Sequence, residues 1–412
     1  MNIRYAIILL ATAAAAITSC NNNSDESGSS VKAGSAYQPG SFGYDVQFLK
    51  QHDSILSLSV AGEPGRVLVS PKYQGKVFTS TAEGDSGKSF GWINYKAFTA
   101  PVDAHMNAYG GENRFWLGPE GNKFSLYFEP QKAMVFDNWK TPAAFDTEPW
   151  TVELSQPASV MLRKDMTLKN YAGTELHIEA KRAITILNKD QVAAKLGIEP
   201  AAGTRSVGYL ASNSITNKGD QAWDEQTGMP CIWMLDMFNP SEKTVIAIPY
   251  KTGLKDSTSK IATTDYFGQI PADRIRYRNG VLLFRADGKS RGKLGLNPVR
   301  ARNLAGSYDA SAQVLTLIMY DLDPAARYLN QEWNTKKPPF SGDAVNAYND
   351  GPLANGSQMG PFYELESVSP AAFLKPGGTL THDHYVFHFT GPEQSLDQIA
   401  IKVLGISVLN QE

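Results

Sequence analysis

Cysteine is scarce. The 412-residue chain carries two, Cys20 and Cys231. If Cys20 is consumed at the N-terminus, one remains, and no intramolecular disulfide can form. Stability must then come from a core, and roughly 370 residues are ample to build one. Excess charge of either sign is also missing: 39 Lys and Arg stand against 41 Asp and Glu, a net of -2. Without a basic stripe, nucleic acid is excluded as an expected partner. Past the first twenty residues, no apolar run is long enough for a membrane-spanning helix. Helical periodicity is sparse, with one convincing instance at residues 190–196, where Asp190 reads as the cap and Val192 and Leu196 share a face. Familiar catalytic signatures are absent. Gly87-Lys88-Ser89 lacks the upstream glycine of a phosphate loop, because Ala82 stands there. There is no G-x-S-x-G elbow and no H-E-x-x-H. No cofactor and no metal are assigned. No fixed-period repeat or internal linker divides the chain.

The N-terminus has the order of a signal peptide. Arg4 supplies positive charge, and residues 6–17 form an apolar run of h-region length. Ile17-Thr18-Ser19-Cys20 resembles a lipobox, in which cleavage leaves a lipidated Cys20. Two or three acyl chains anchor firmly where one binds marginally. The polar stretch that follows reads as a flexible tether. Asp25 and Glu26 in it resemble the acidic export signal of Bacteroidetes surface lipoproteins. The expected organisation is a signal peptide at 1–19, a lipidated tether at 20–40 and one domain at 41–412. The expected location is the outer membrane, on its periplasmic or surface side.

From about residue 41 onward the chain reads as strands, short β-branched and aromatic runs punctuated by Gly, Pro, Asn and Asp. Residues 67–69, 124–128, 183–187, 245–248, 281–284 and 314–320 are examples, and 400–409 reads as the last strand. Many strands and few helices imply an all-β fold of large, packed antiparallel sheets with very few short helices. Such a stack gathers loops on a concave side, where a sugar or polysaccharide can bind.

Two stretches hold candidate chemistry. In residues 109–121, two glycines precede Arg114 and Trp116, flanked by Glu112 and Glu120. A planar donor fork, a flat indole and carboxylates are what sugar hydroxyls and C–H faces need. The alternative is a structural turn with Arg114 paired to Glu120. In residues 360–389, Glu364 and Glu366 lie two apart, and so do His382 and His384, with His388 in phase. Alternate residues of a strand share a face, so each set projects together. Carboxylates beside imidazoles form an acid–base set near neutral pH. The alternative is the polar outer face of an amphipathic strand. Arg274, Arg276, Lys289, Arg291 and Lys293 form a basic stretch suited to a uronate or to a solvated hairpin. The Gly/Pro-rich segment 338–360 reads as a long loop carrying Asn349, in which Asp343 and Asp350 could offer oxygen ligands to calcium without a metal being assigned there.

Together these stretches resemble the galactose mutarotase-like β-supersandwich: Gly110-Gly111-x-x-Arg114-x-Trp116-x-x-Pro119-Glu120, then Leu365-Glu366-x-x-x-Pro370, then Pro376-Gly377. The closer resemblance is to the DUF6786 family of Bacteroidetes lipoproteins, through Ser212-Asn213-Ser214-Ile215-Thr216-Asn217, residues 287–293 and residues 342–352. The mutarotase resemblance implies Glu366 as the base and a carbohydrate ligand, and the residue chemistry offers Arg114, Trp116, Glu120, Glu112, Trp233 and Asn349 as sugar contacts. Its histidine acid does not carry over. Met229-Pro230-Cys231-Ile232-Trp233 has no histidine, and Tyr109 stands where another is expected. Glu364 and His382 are the remaining candidates beside Glu366. The reading is a membrane-anchored protein with acid–base chemistry on a sugar, or a non-catalytic glycan-binding lipoprotein.

Overall fold

A computed structural model describes residues 36–199, 202–254 and 260–409. Cys20, the expected signal peptide and the first part of the expected tether lie outside the described residues. Helix α1 (Phe42–Leu49) leads into β1 (Leu56–Ser59), β2 (Arg66–Ser70) and β3 (Lys76–Thr81). Next come β4 (Arg114–Gly118), β5 (Thr151–Gln156), β6 (Ser159–Lys169) and β7 (Glu175–Leu187). Helix α2 (Lys189–Leu196) precedes β8 (Arg205–Asn217), β9 (Cys231–Phe238) and β10 (Thr244–Pro249). The rest comprises β11 (Ile275–Arg278), β12 (Val281–Arg285), β13 (Gly292–Leu296), β14 (Leu304–Asp309), β15 (Val314–Tyr320), β16 (Val345–Asn349), β17 (Tyr363–Val368), β18 (Thr379–Thr390) and α3 (Glu393–Leu404).

These strands form three antiparallel sheets. A ten-stranded sheet has the order β11-β12-β10-β14-β15-β18-β8-β7-β6-β5. A five-stranded sheet runs β13-β16-β17-β9-β4, and β1-β2-β3 make a third. The expected all-β architecture of facing sheets with few helices is the one observed. In β7, Leu176, Ile178, Ala180, Arg182, Ile184 and Ile186 are buried and the residues between them are not, a strict period of two. Ala180, Ile184, Ala211, Ile215 and Val386 of the large sheet share one core with Phe115, Leu117, Met234 and Leu365 of the five-stranded sheet. That apolar layer removes both inner faces from water and supplies the main driving force.

Local chemistry accounts for the turns and caps. Asn279 and Gly280 both take left-handed backbone between β11 and β12, as a two-residue hairpin requires. The cap of α2 is Asn188, not Asp190. Its side chain accepts from Gln191 N at 2.8 Å, and Gln191 Oε1 accepts from Asn188 N at 2.9 Å, a reciprocal capping box.

Four expectations are corrected. Residues 400–409 do not form a strand, because residues 400–404 end α3, whose Leu396, Ile399, Ala400 and Leu404 bury one helical face. Residues 124–128 are irregular, since Asn122 Oδ1 takes the Phe124 N–H at 2.7 Å and diverts it from any ladder. Segment 338–360 is not one loop, because β16 runs inside the five-stranded sheet. The basic stretch is not one hairpin either: Arg276 lies in the ten-stranded sheet and Lys293 in the five-stranded one.

Candidate functional site

Antiparallel register gives the five-stranded sheet two chemically different faces. Glu366 stands opposite Leu235 and Asn346, and Glu364 opposite Met237 and Tyr348. Lys293 pairs with Tyr348, Arg114 with Leu235, and Trp116 with Trp233. All of these side chains therefore share the face turned away from the ten-stranded sheet.

Glu366 is fully buried there, and its two oxygens differ. Oε2 accepts from Lys293 Nζ at 2.8 Å and from Trp233 Nε1 at 2.8 Å. Oε1 has no partner. Lys293 also sits 4.6 Å from the centre of the Trp233 ring. Beside this pair, an Arg114 guanidinium nitrogen donates to Glu364 Oε1. The guanidinium lies 5.1 Å from the Trp116 ring, while Arg114 Nε and Trp116 Nε1 are left without partners. Burial pushes the Glu364 carboxyl up to about 7, with Arg114 pulling it down and the Glu366 charge adding to the rise. Burial also raises the Glu120 carboxyl, against the attraction of Lys293 and the pull of the Trp333 indole. Asp343 accepts from Tyr266 Oη at 2.6 Å, and burial raises it to about 6. Trp116 meets Trp233 edge-on at 5.7 Å, and Trp139 stacks on Trp333 at 6.0 Å. The result is an almost fully buried, indole-walled site with several carboxyls, two cations, and donors and an acceptor still unspent.

Arg114, Trp116, Glu120, Trp233, Glu364 and Glu366 are thus brought together. Glu112, Asn349 and His382 are not. Asn349 projects from the opposite face of β16. Its amide accepts from Gly288 N at 2.8 Å and donates to Ser290 O at 2.9 Å, clamping a turn. Glu112 Oε1 accepts from Ser80 Oγ at 2.7 Å and pairs with His388 Nε2 at 3.1 Å. His382 Nε2 meets Ser367 Oγ at 2.8 Å. Ser367 neighbours Glu366 in β17 and points the other way, so the backbone of that strand separates His382 from Glu366.

The three histidines share a face as expected, but it is neither an outer surface nor the Glu366 site. They lie buried between the sheets. Ser367 Oγ also meets His384 Nδ1 at 2.8 Å, and His384 Nε2 pairs with Asp236 Oδ2 at 2.6 Å. Asp236 Oδ1 accepts from Asn113 Nδ2 at 2.7 Å, and Asn113 accepts from Arg182. Ser367, His384 and Asp236 match a nucleophile–base–carboxylate order, yet all three are fully buried, so the chain of bonds is a structural tie between sheets. The pairing of Arg114 with Glu120 is replaced by Arg114 with Glu364. Asp343 and Asp350 bind different tyrosines, Tyr266 at 2.6 Å and Tyr348 at 3.0 Å. Among the described residues, no group of three or more His, Cys, Asp or Glu side chains is arranged to hold a metal. Lys293 is the principal site residue that sequence reasoning undervalued. Its signal was a lysine inside the otherwise apolar strand Gly292–Leu296.

A family profile described as a family of unknown function, DUF6786, matches residues 40–411. No curated protein sequence matches the chain. Among solved structures, the Slr1438 protein of Synechocystis sp. PCC 6803 is similar with a TM-score of 0.50 and 13% identity, over 83% of this chain and 97% of that one. A galactose mutarotase-like protein from Lactobacillus casei ATCC 334 is similar with a TM-score of 0.44 and 9% identity, over 81% of this chain and 100% of that one. At 13% identity the likeness to the Synechocystis protein is one of fold.

Proposed function

The chain belongs to the DUF6786 family over residues 40–411, and from that premise we propose that it performs acid–base chemistry on a sugar at the Glu366 face of its five-stranded sheet. The observation that carries this reading is the asymmetry of Glu366. Lys293 and Trp233 fix one oxygen, and the other is buried and bare. A bare buried acceptor is costly unless a ligand hydroxyl completes it. Two carboxyls two residues apart on a strand are separated by about 7 Å of backbone, the scale of a sugar ring. In the proposed step, Glu366 Oε1 takes the proton of the anomeric hydroxyl. Glu364, half protonated near pH 7, gives one to the ring oxygen. The C1–ring-oxygen bond breaks, a carbonyl forms at C1, and closure on the other face inverts the anomeric centre. Indole walls at Trp116 and Trp233 hold the ring, and the Arg114 Nε–H and Trp116 Nε1–H orient its hydroxyls.

Two-dimensional exchange NMR on a panel of aldoses tests this. Wild type accelerates exchange between α and β anomers, and Glu366→Gln reduces that rate at least about 100-fold, the usual scale for a general base. A second reading, glycan binding without turnover, is favoured by the lack of a histidine on this sheet face among the described residues, His105 reaching only the Trp139 carbonyl beside it. An ion-paired carboxylate can hold a hydroxyl without removing its proton. Saturable binding on a glycan array with no acceleration of exchange by wild type selects that reading over the first.

The leader motif ending at Cys20 supports a lipid tether to the outer membrane. Labelled palmitate should enter the wild-type protein and not Cys20→Ala. Labelling of the variant, or of neither, removes the tether.

A further inference from the structure

The Glu366 face holds more carboxyls than it can neutralise. Glu120, Asp343, Glu364 and Glu366 surround two cations, Arg114 and Lys293. Arg114 is committed to Glu364 and Lys293 to Glu366. Lys293 is 5.8 Å from the Tyr266 ring, whose hydroxyl donates to Asp343, so the same ammonium serves both sides of the site. The flanking charges offer no relief. Arg291 and Asp350 meet through the Tyr348 hydroxyl and offset one another, as do Glu332 and Lys337 at 2.5 Å. Two carboxyls are thus surplus. A second observation, independent of the charge count, points to a ligand: the buried Oε1 of Glu366 has no partner, and neither has Trp116 Nε1.

We propose that the sugar taken by this site carries a free ammonium group, as an unacetylated amino sugar does, and that Glu120 receives it while Glu366 Oε1 keeps its contact with the anomeric hydroxyl. This rests on the sugar-processing reading and names its substrate class. A neutral sugar would complete the hydroxyl contacts and leave the surplus charge unmatched. A uronate would add a further carboxylate to it. An ammonium supplies the missing positive charge through hydrogen bonds stronger than neutral ones, and the indoles of Trp139, Trp233 and Trp333 are surfaces that attract cations. Burial displaces the Glu120 and Asp343 carboxyls upward, the direction expected where a carboxylate lacks a cation of its own.

The test is isothermal titration at neutral pH with glucosamine, glucose, N-acetylglucosamine and glucuronate. Glucosamine should bind at least about tenfold more tightly than glucose or N-acetylglucosamine, a difference of about 1.4 kcal/mol, and glucuronate should bind most weakly. Glu120→Gln should lower the ratio of glucosamine to glucose affinity at least threefold. A loss equal for both sugars would mean that Glu120 is only structural and would overturn its assignment. Glucose or glucuronate binding as well as glucosamine, or being turned over with no ammonium preference, overturns this inference and leaves the sugar-processing reading standing. No binding and no exchange with any of the four overturns both.

Discussion

Glu366 depends on residues far from it in sequence. Its ammonium partner lies 73 residues away, and the Arg114–Glu364 pair beside it spans 250. Removing one member of a buried ion pair leaves an uncompensated charge, which costs about 3 kcal/mol or more. Lys293→Met should therefore lower the denaturation free energy by about that amount and abolish anomeric exchange. A variant of wild-type stability would mean that Lys293 is not the charge that balances Glu366. Glu364 makes a separate prediction. Because its carboxyl titrates near 7, the proton donor is present below that pH and lost above it. The exchange rate should fall as pH rises through about 7, and Glu364→Gln should lack that limb. A rate that keeps rising to pH 9 excludes Glu364 as the acid.

Elements with one buried face are the ones whose pattern can be read directly. The alternation in β7 is legible because period two is fixed by the pleat of a single strand, while β12 and β15, buried on both faces, are legible instead as continuous apolar runs. Helix α3 is not. Its stretch Ile399-Ala400-Ile401-Lys402-Val403-Leu404 is apolar enough to pass for a strand. The helical face emerges when Leu396 is included and Phe387, Phe389 and Leu315 supply the surface it covers. Leu396 is fully buried there, so Leu396→Ala should cost about 3 kcal/mol in urea melts. A cost below about 1 kcal/mol would show that α3 is loosely docked. β16 was hidden for a related reason. Val345-Asn346-Ala347-Tyr348-Asn349 is short, polar at alternate positions and bounded by loop-forming residues, and its central place in the sheet comes from pairing with β13 and β17.

Across the whole molecule, the facing sheets are tied by polar groups as well as by apolar packing. Arg182, Asn113, Asp236, His384, Ser367 and His382 form one buried chain of hydrogen bonds from the ten-stranded sheet to the five-stranded sheet and back. Burial, reinforced by the nearby His384, lowers the His382 imidazole to about 3, below its ordinary value near 6.5. The neutral ring is the form the fold accepts. Its contribution to stability is full above about 6.5 and is lost as pH falls toward 3, with a slope of up to about 1.4 kcal/mol per pH unit. Urea melts at pH 7 and pH 4.5 should show this loss in wild type and a shallower one in His382→Gln. Equal slopes would mean that His382 is not the group that resists protonation.

The sequence by itself determined what one strand can determine: an all-β chain, Glu364 and Glu366 on one face, and three histidines in phase on another. Side-chain alternation is local, so these facts need no partner strand. Which face meets which was decided by tertiary structure. β17 turns Ser367 toward the histidines and Glu366 away from them, so the acid–base set drawn from neighbouring residues is divided by a strand. Lys293 and Arg114, distant in sequence, complete the site, because sheet register is a property of long-range pairing that no segment carries alone.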